Sequence, residues 1–279
     1  MAKLIQFSTE GSRFDGEFRW QAAGMGYVFC PDDPAWGFIV VDGGETEQDT
    51  EDLLKLLEEK VGTDKTGCKP VVALWILTHP HPDHCKNLVR ISENEKYSSR
   101  VDVAALCYSV PDNYREVYGD SIGIDRIAGQ LDCDLIRPKR GEEIDEIYAG
   151  GFIVRIFSTY ENYSPEDIND LSLVFSVECQ ESGRKAMFTG DSYEIALDYV
   201  LKNTDPDLLK SDFIQVAHHG LNGGLEAFYE AVGAETALVP ISNAGEKVGP
   251  QDYKVRNDAA RKLAKTEYRS GEGTVELDF

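Results

Sequence analysis

The chain of 279 residues has little histidine and few basic residues, and both shortages restrict what it can do. It contains five histidines, and its 28 lysines and arginines stand against 50 aspartates and glutamates, which gives a formal net charge of −22. Proteins that capture nucleic acid normally present a basic groove that neutralises phosphates. The nearest approach to a basic run is Arg137–Arg140. The composition therefore disfavours a polynucleotide substrate, although an acidic protein can still carry a local basic patch.

Other signals are missing as well, and each absence narrows the class of protein. The six cysteines lie far apart with no C-x-x-C pair, which predicts reduced thiols in a cytoplasmic protein rather than a disulfide framework. The N-terminal segment lacks the basic-then-apolar order of a signal peptide, and no apolar stretch approaches the ~20 residues that a membrane span needs. No linker-like, low-complexity or repeated segment interrupts the chain, so we expect a single domain over residues 1–279.

The few histidines are concentrated in two places. His79, His81 and His84 lie within six positions, and the remaining two form the pair His218–His219. An isolated histidine is usually a surface residue or a satisfied core residue, but random scatter over the chain would rarely produce this grouping. The clustering predicts a metal site, because neutral imidazole is a common ligand of zinc, iron and manganese.

The first histidine cluster follows an apolar segment directly. Val71–Leu77 is rich in valine, isoleucine and leucine and leads into the polar residues T-H-P-H-P-D-H, which is typical of a buried strand that delivers side chains at its carboxyl end. Pro80 and Pro82 restrict φ and lack a backbone donor, so the segment cannot continue the strand. We expect a stiff loop that carries three imidazoles and the carboxylate of Asp83, followed by a helix from about His84.

The pattern H-x-H-x-D-H after a hydrophobic strand resembles the metal-binding loop of the metallo-β-lactamase fold superfamily. Further segments resemble that superfamily in the same order along the chain, from about Tyr27 to the C-terminus. They are the V-V-D-G-G turn of 40–44, similar to an I-D-G-G segment; the N-D-L-S-L-V segment of 169–174, similar to a signature of the branch related to the hydrolase domain of the ComEC competence protein; the T-G-D segment of 189–191; and the H-H-G segment of 218–220.

The alternation of predicted strands and helices supports an α/β protein by itself. The resemblance implies more, namely a four-layer αββα sandwich of two mixed β-sheets flanked by helices. Thr50 is expected to cap a helix that ends at Gly62. Further helices are predicted from Pro111 to about Tyr118 and over Asp252–Ala264.

The resemblance also implies a role for each candidate ligand. His79 and His81 would bind a first divalent ion, and Asp191 would bridge it to a second. The ligands implied for the second ion are Asp83, His84 and His218. Zinc is expected first, with manganese or iron as alternatives. Two such ions produce hydroxide near neutral pH and polarise a carbonyl or phosphoryl oxygen, and Asp83 would be the catalytic residue that accepts a hydrogen bond from this water.

Of the two late histidines, His218 is the favoured ligand because it sits where the predicted strand Phe213–Ala217 ends. His219 would then contact a ligand or the substrate. Further residues are candidates for contact with the substrate: Ser158, Tyr160 and Asn222.

One ligand of the superfamily pattern is missing. Most hydrolases of this superfamily carry a further histidine in the loop after the strand equivalent to Phe152–Phe157, where this chain reads Phe157-Ser158-Thr159-Tyr160 and has no histidine left. Water, substrate or a carboxylate such as Glu161 or Asp167 would complete the first position; otherwise only the second is occupied. We expect one tightly bound ion and one weakly bound ion, so that activity depends on added metal.

These features together predict an enzyme, a metal-dependent hydrolase that uses a metal-activated water on a phosphodiester or ester of a small molecule. Two alternatives stay open: a metal-binding protein of the same fold with weak or no catalysis, and a nuclease, which the net charge and the lack of membrane segments disfavour. No nucleic-acid or membrane partner is expected, and the sequence does not indicate an oligomeric state.

Overall fold

The computed structural model describes residues 1–16, 24–111, 123–139, 145–247 and 260–279. Within these ranges the chain forms fifteen β-strands in two sheets and ten α-helices with fully described bounds, numbered here in chain order, and residues 260–263 are helical as well. The helices predicted from Pro111 and from Asp252 lie largely outside the described residues.

The first sheet contains eight strands. They are β1 (Lys3–Gln6), β2 (Gly26–Cys30), β3 (Phe38–Asp42), β4 (Val71–Ile76), β5 (Asp102–Val103), β6 (Ala105–Cys107), β7 (Asp134–Ile136) and β15 (Val275–Asp278). Their order is β15-β1-β2-β3-β4-β6-β7, with β5 beside β4. The pairs from β15 to β3 are antiparallel, whereas β3, β4, β6 and β7 run parallel to one another.

The second sheet contains seven strands. They are β8 (Asp145–Ala149), β9 (Phe152–Ser158), β10 (Val174–Cys179), β11 (Lys185–Phe188), β12 (Phe213–Gln215), β13 (Thr236–Val239) and β14 (Thr266–Arg269). Their order is β14-β13-β12-β11-β10-β9-β8. The pairs from β8 to β11 are antiparallel and those from β11 to β14 are parallel, so both sheets are mixed.

Helices lie on the outer faces of both sheets. They are α1 (Glu10–Arg13), α2 (Glu47–Val61), α3 (Thr63–Thr66), α4 (Pro82–Glu93), α5 (Glu95–Ser98), α6 (Ile124–Leu131), α7 (Glu194–Asn203), α8 (Pro206–Leu209), α9 (Glu226–Val232) and α10 (Asn243–Lys247). No helix in the part of the chain that the structure describes combines the length and the apolar character needed to cross a membrane.

Three apolar cores separate the four layers. In β3, Ile39 and Val41 belong to the core between the two sheets, whereas Val40 belongs to the core beneath α2 and α4. A third core lies between the second sheet and helices α7 and α9. Because successive side chains of a strand point to opposite faces, a strand buried on both sides must be apolar at every position. The architecture is therefore the predicted αββα sandwich of two mixed sheets.

Helix α2 begins four residues earlier than predicted. The prediction of Thr50 as its cap was wrong, because the capping residue is Thr46. The hydroxyl of Thr46 accepts a hydrogen bond from the Asp49 backbone N–H at 3.1 Å, and the Asp49 carboxylate accepts one from the Thr46 backbone N–H at 2.9 Å. This reciprocal pair needs an acidic or amide side chain three residues after the cap. Position 53, three residues after Thr50, is a leucine. The end of the helix at Gly62 is confirmed by a left-handed residue with φ of 65°.

Replacing Thr46 by alanine is expected to lower the free energy of unfolding by about 1 kcal/mol, because the N-terminal amides of α2 lose their hydroxyl acceptor. Urea unfolding followed by circular dichroism measures the change. The exposed Lys55→Ala variant on the same helix is the control and should stay within about 0.5 kcal/mol of the parent protein. Equal stability of Thr46→Ala and the parent would show that this cap contributes nothing.

Candidate metal centre

The first histidine cluster lies between the end of β4 and the first turn of α4. His81 is the capping residue of α4, and Pro82 is its first helical residue, a position where the missing N–H of proline costs no hydrogen bond. The backbone N–H groups of His84 and Cys85 donate to the carbonyl of His81 at 3.0 and 3.1 Å. Asp83 and His84 thus occupy the first turn of the helix, which begins two residues before the predicted start at about His84.

The three imidazoles of this cluster are in contact. The Nε2 atom of His79 lies 2.9 Å from Nδ1 of His81. The rings of His79 and His84 are 4.2 Å apart between centroids, and both side chains are fully buried. At 2.9 Å either one ring donates its N–H to the other or the two nitrogens share a cation, because two protonated rings at this distance would repel each other.

Asp191 follows β11 in the turn Thr189-Gly190-Asp191. Gly190 has φ of 54°, and a Cβ atom there would lie 2.8 Å from Cβ of Ser172 and 3.0 Å from Cβ of Thr78. Only glycine fits this backbone conformation and this space. The Ser172 hydroxyl also stabilises the turn, because it accepts a hydrogen bond from the Asp191 N–H at 3.0 Å.

The carboxylate of Asp191 lies between imidazoles. Its Oδ2 atom is 3.3 Å from Nε2 of both His84 and His219. The Nε2 atoms of His79 and His218 are each 3.8 Å from the same oxygen. The second oxygen, Oδ1, is buried and has no hydrogen-bond partner among the residues that the structure describes. A buried carboxylate oxygen of this kind fits a cation, because an unmatched acceptor is otherwise costly.

The late histidines stand in a strained turn after β12. His218 and His219 both have positive φ, 48° and 56°, which is uncommon for residues other than glycine. The turn aims Nε2 of His219 at the carboxylate of Asp83, 3.1 Å away, while Nδ1 lies 3.0 Å from the carbonyl oxygen of Pro240. Since Nδ1 of His219 donates to a carbonyl, Nε2 is the nitrogen left for a ligand.

The predicted ligands therefore come together. In each of two sets of residues, the potential ligand atoms all lie within 4.8 Å of one another. These sets are His79, His84 and Asp191, and Asp83, His84 and His219. His81 joins through its contact with His79. Where the strand end favoured His218 over His219, the distances favour His219. Which of the two binds a metal stays a prediction.

Asp42, at the end of β3, is a functional residue that the sequence reasoning left without a role. Its Oδ2 atom lies 2.8 Å from Nδ1 of His84 and accepts the Thr78 hydroxyl at 2.8 Å, while Oδ1 accepts the Thr78 N–H at 2.8 Å. Asp42 is 1% exposed. It holds the ring of His84 with Nε2 toward Asp191, as carboxylates do beside metal-binding imidazoles. The sequence marks Asp42 only by its place in V-V-D-G-G, and a position at the end of a strand does not indicate which residue the side chain contacts.

The electrostatics of the site favour positive charge between its carboxylates. Burial lowers the pKa of His84, but the carboxylates of Asp191 and Asp83 outweigh burial and hold this pKa well above its usual range. For His219, burial is likewise outweighed, chiefly by Asp191, and the pKa rises to about 10. Burial would raise the pKa of Asp191, yet the imidazoles hold it well below its usual range. Burial and then the neighbouring His84 keep the pKa of His79 low. A bound divalent cation meets this electrostatic demand.

The residues present fit one or two divalent cations. They offer imidazole nitrogens and carboxylate oxygens, the ligand types of zinc, manganese and iron. Asp42 and Pro240 hold the rings of His84 and His219 with Nε2 directed inward. The buried, unmatched Oδ1 of Asp191 is a further donor atom.

The segment that lacks the expected histidine begins with buried residues. Ser158, the last residue of β9, is 0% exposed, and its hydroxyl has no hydrogen-bond partner among the residues that the structure describes. The hydroxyl of Tyr160 donates to Glu161 at 3.3 Å. Neither Ser158 nor Tyr160 is among the described residues that line the pocket at the site. Asp167 accepts hydrogen bonds from the backbone and the side chain of Asn169, both at 2.9 Å.

A pocket of about 380 Å³ opens beside the candidate ligands. Among the described residues its lining contains no lysine or arginine. The lining residues are Glu45, His81, Pro82, Asp83, Asn169, Asp191, Tyr193, His218, His219 and Asn222. Asn222 lies in the pocket wall, and its contact with the substrate stays a prediction. Glu45, Asn169 and Tyr193 also line the pocket, and no sequence signal predicted them. An adjoining cavity of about 700 Å³ shares Tyr193 and Asn222 with the pocket and is rich in carboxylates.

Comparison with known proteins identifies the fold. No protein-family profile matches the chain, and no curated protein matches it by sequence. Among solved structures, the metallo-β-lactamase fold protein YhfI from Bacillus subtilis aligns with a TM-score of 0.56 at 15% identity, over 99% of this chain and 100% of its own. A diphosphatase of the PhnP family aligns with a TM-score of 0.53 at 13% identity, over 100% and 98% of the two chains.

The zinc-bound structure of PqqB from Methylobacterium extorquens is similar as well, with a TM-score of 0.54 at 12% identity over 100% of both chains. Structural similarity at identities this low establishes the fold and leaves the activity open. The chain has the metallo-β-lactamase fold, with two mixed sheets flanked by helices, as the resemblance implies.

Replacing Asp42 by asparagine is expected to weaken zinc binding by about 10-fold to 100-fold, because Asp42 orients His84. Competition with a chromogenic chelator measures the affinity. Asparagine is chosen because it tolerates the left-handed conformation of this position, where φ is 54°.

Asp132→Asn is the matched control, since Asp132 also has positive φ, 51°, at the exposed end of α6. Its zinc affinity should equal that of the parent. If Asp42→Asn bound zinc as tightly as the control, the contact between Asp42 and His84 would not support a metal site.

Proposed function

We propose that the chain is a metal-dependent hydrolase that uses a metal-activated water to cleave a phosphodiester or ester bond of a small molecule. The observation that carries this proposal is the convergence of His79, Asp83, His84, Asp191 and His219 in one cluster, from three separate segments of the chain. Asp83, Asp191 and His219 of this cluster also line the pocket. Divalent cations at this place would supply a hydroxide near neutral pH and would polarise the bond under attack.

Each residue of the site has a proposed task. His79 and His81 hold the first cation, and Asp191 lies between the two positions. Asp83, His84 and His219 hold the second. We assign His219 rather than His218 to this set because its Nε2 lies 3.1 Å from Asp83 and its Nδ1 is tied to a backbone carbonyl. His218 then faces the substrate.

Asp83 is also the proposed acceptor for a proton or hydrogen bond of the attacking water. Its side chain is 14% exposed, whereas that of Asp191 is 2% exposed. A group that exchanges a proton with water in the pocket must reach the pocket. Asp83 meets this requirement, since it forms part of the pocket wall.

The pocket supports a small substrate with a single phosphodiester or ester group. Its volume of about 380 Å³ suits a small molecule. The lack of lysine and arginine among the described lining residues disfavours a polyanion such as a nucleic acid. The similar protein of the PhnP family is named a diphosphatase, so its name indicates hydrolysis of a phosphate compound, which supports the phosphodiester choice.

Zinc is the proposed metal, with manganese and iron as alternatives. The zinc-bound structure of PqqB shares the fold and so supports zinc. The N-D-L-S-L-V segment supports a place in the branch that resembles the ComEC-type hydrolase domain. All six cysteines are free, which supports the proposed location in the reducing cytoplasm. We propose a single domain with no membrane or nucleic-acid partner.

A second candidate function is metal binding with weak or no catalysis. The observation in its favour is the segment Phe157–Tyr160, which lacks the expected histidine and in which Ser158 is buried. The first position would then have only His79, His81 and the shared Asp191 as protein ligands and would fill only at high metal concentration.

Turnover of bis-(p-nitrophenyl) phosphate tests the proposed function. With zinc or manganese supplied, the parent protein should release p-nitrophenol. Asp83→Ala and Asp191→Ala should each lower kcat/KM by at least about 100-fold, because the first variant removes the acceptor for the attacking water and the second removes a ligand of the metals. Asp64→Ala, an exposed change on α3, should retain full activity. Activity that survives in both site variants would contradict the mechanism, and full metal content without turnover would favour the binding function.

Metal removal should lower thermal stability. At a free zinc concentration of about 100 times the Kd, bound zinc is expected to add about 2.7 kcal/mol to the free energy of unfolding, because zinc binds only the folded site. Thermal scans after dialysis against a chelator, with and without zinc restored, measure this contribution. Asp191→Ala should show little zinc-dependent shift, and an equal shift in both proteins would place zinc elsewhere.

A further inference from the structure

Tyr193 stands at the boundary of the pocket, two residues after Asp191. It is the residue that precedes α7, and its side chain is half-buried. Its ring packs edge-on against the ring of His218, with 5.5 Å between centroids and an interplanar angle of 61°. The ring is therefore held against the candidate metal site, and its hydroxyl end lies among polar side chains of the same wall.

Two amides hold the hydroxyl group of Tyr193. Nδ2 of Asn169 donates to it at 3.1 Å, and Nδ2 of Asn222 donates to it at 3.2 Å. The amide of Asn169 has a defined orientation because its Nδ2 also donates to the carboxylate of Asp167 at 2.9 Å.

These contacts leave the phenolic hydrogen available. A hydroxyl has one hydrogen to donate and two lone pairs, and the two amides occupy the lone pairs. Among the residues that the structure describes, the Tyr193 hydroxyl donates a hydrogen bond to no acceptor. Since Tyr193 lines the pocket, this hydrogen is free to bond to a group in the space that a substrate would fill.

The other described residues of the pocket offer little positive charge to a substrate oxygen. No lysine or arginine is found in the described lining, and the carboxylates of Glu45, Asp83 and Asp191 repel negative charge. Nδ1 of His219 is tied to a carbonyl and its Nε2 faces two carboxylates. An oxygen that gains negative charge during hydrolysis would therefore be stabilised by a neutral, preorganised donor in addition to the metals and His218.

We propose that the hydroxyl group of Tyr193 donates a hydrogen bond to the substrate oxygen that gains negative charge, a nonbridging oxygen of a phosphodiester or the carbonyl oxygen of an ester. Asn169 and Asn222 are positioning residues that hold this hydroxyl. The inference rests on the proposed hydrolase function, because it assigns a substrate contact within the same pocket.

The test is the binding of inorganic phosphate to the zinc-loaded protein, measured by isothermal titration calorimetry for the parent and for Tyr193→Phe. Phosphate presents the same kind of oxygen as a phosphodiester and binds without turnover. Loss of one hydrogen bond to a charged group should raise the Kd for phosphate by about 10-fold to 100-fold in Tyr193→Phe. Zinc content and the midpoint of thermal unfolding should stay at the values of the parent.

Tyr148→Phe is the matched control, since Tyr148 is 64% exposed on β8 and its hydroxyl contacts only Glu146 among the described residues. Its Kd for phosphate should equal that of the parent. An unchanged Kd in Tyr193→Phe would overturn the proposal. A parent protein that binds no phosphate, or a variant that loses zinc together with phosphate, would overturn it as well.

Hydrolysis of bis-(p-nitrophenyl) phosphate separates this inference from the proposed function. If the parent protein turns over the ester, Tyr193→Phe should lower kcat/KM by a similar factor. If the parent does not hydrolyse the ester while the difference in phosphate affinity remains, the hydrolase function fails and the contact made by Tyr193 stands.

Discussion

Buried carboxylates that require positive charge organise the end of the molecule where the two sheets meet. Asp42 and Asp191 are each 1% exposed, and a buried carboxylate without a cationic or hydrogen-bonding partner is strongly destabilising. His84 lies between them, 2.8 Å from Asp42 and 3.3 Å from Asp191. Asp42 ends a strand of the first sheet and Asp191 follows a strand of the second. The same imidazole therefore connects the two sheets and faces the candidate metal site.

The turns that deliver these side chains adopt conformations that residues other than glycine rarely take. Asp42, His218 and His219 have positive φ, as do Gly190 and Gly220 beside them. Such conformations persist only where surrounding structure enforces them, and they concentrate at functional sites. Here the two sheets enforce these conformations, because the apolar core between the sheets holds the strands that precede the turns. Strain at the loops is thus offset by packing elsewhere.

The fold constrains chemistry without specifying a substrate. Solved structures at 15% identity or less share the architecture over nearly the whole chain, and one architecture can serve different reactions. In this chain the distinguishing features lie in the pocket wall. Ser158 is buried, carboxylates line the pocket, and amides donate hydrogen bonds to a tyrosine hydroxyl. These features, and not the sheets, decide between hydrolysis and metal binding.

Local patterns predicted the strand ahead of His79 and the first histidine cluster, whereas the four-layer sandwich and the ligand roles of Asp191 and His218 came from the resemblance to the metallo-β-lactamase superfamily. The strand is present, and the helix after it begins at Pro82, two residues before the predicted start at about His84. The cap of α2 was misplaced because Thr46 and Thr50 are both plausible caps on residue type. Only the reciprocal bonds to Asp49 distinguish them.

The sequence by itself determined the residue types of the site and their order along the chain, because strand periodicity and proline geometry act over a few neighbouring residues. The tertiary structure decided which side chains meet. It pairs Asp42 with His84 across 42 positions, it turns His219 toward Asp83, and it gathers Asn169, Tyr193 and Asn222 at one wall. Such contacts depend on how loops of two separate sheets face each other, and no spacing along the chain encodes that orientation.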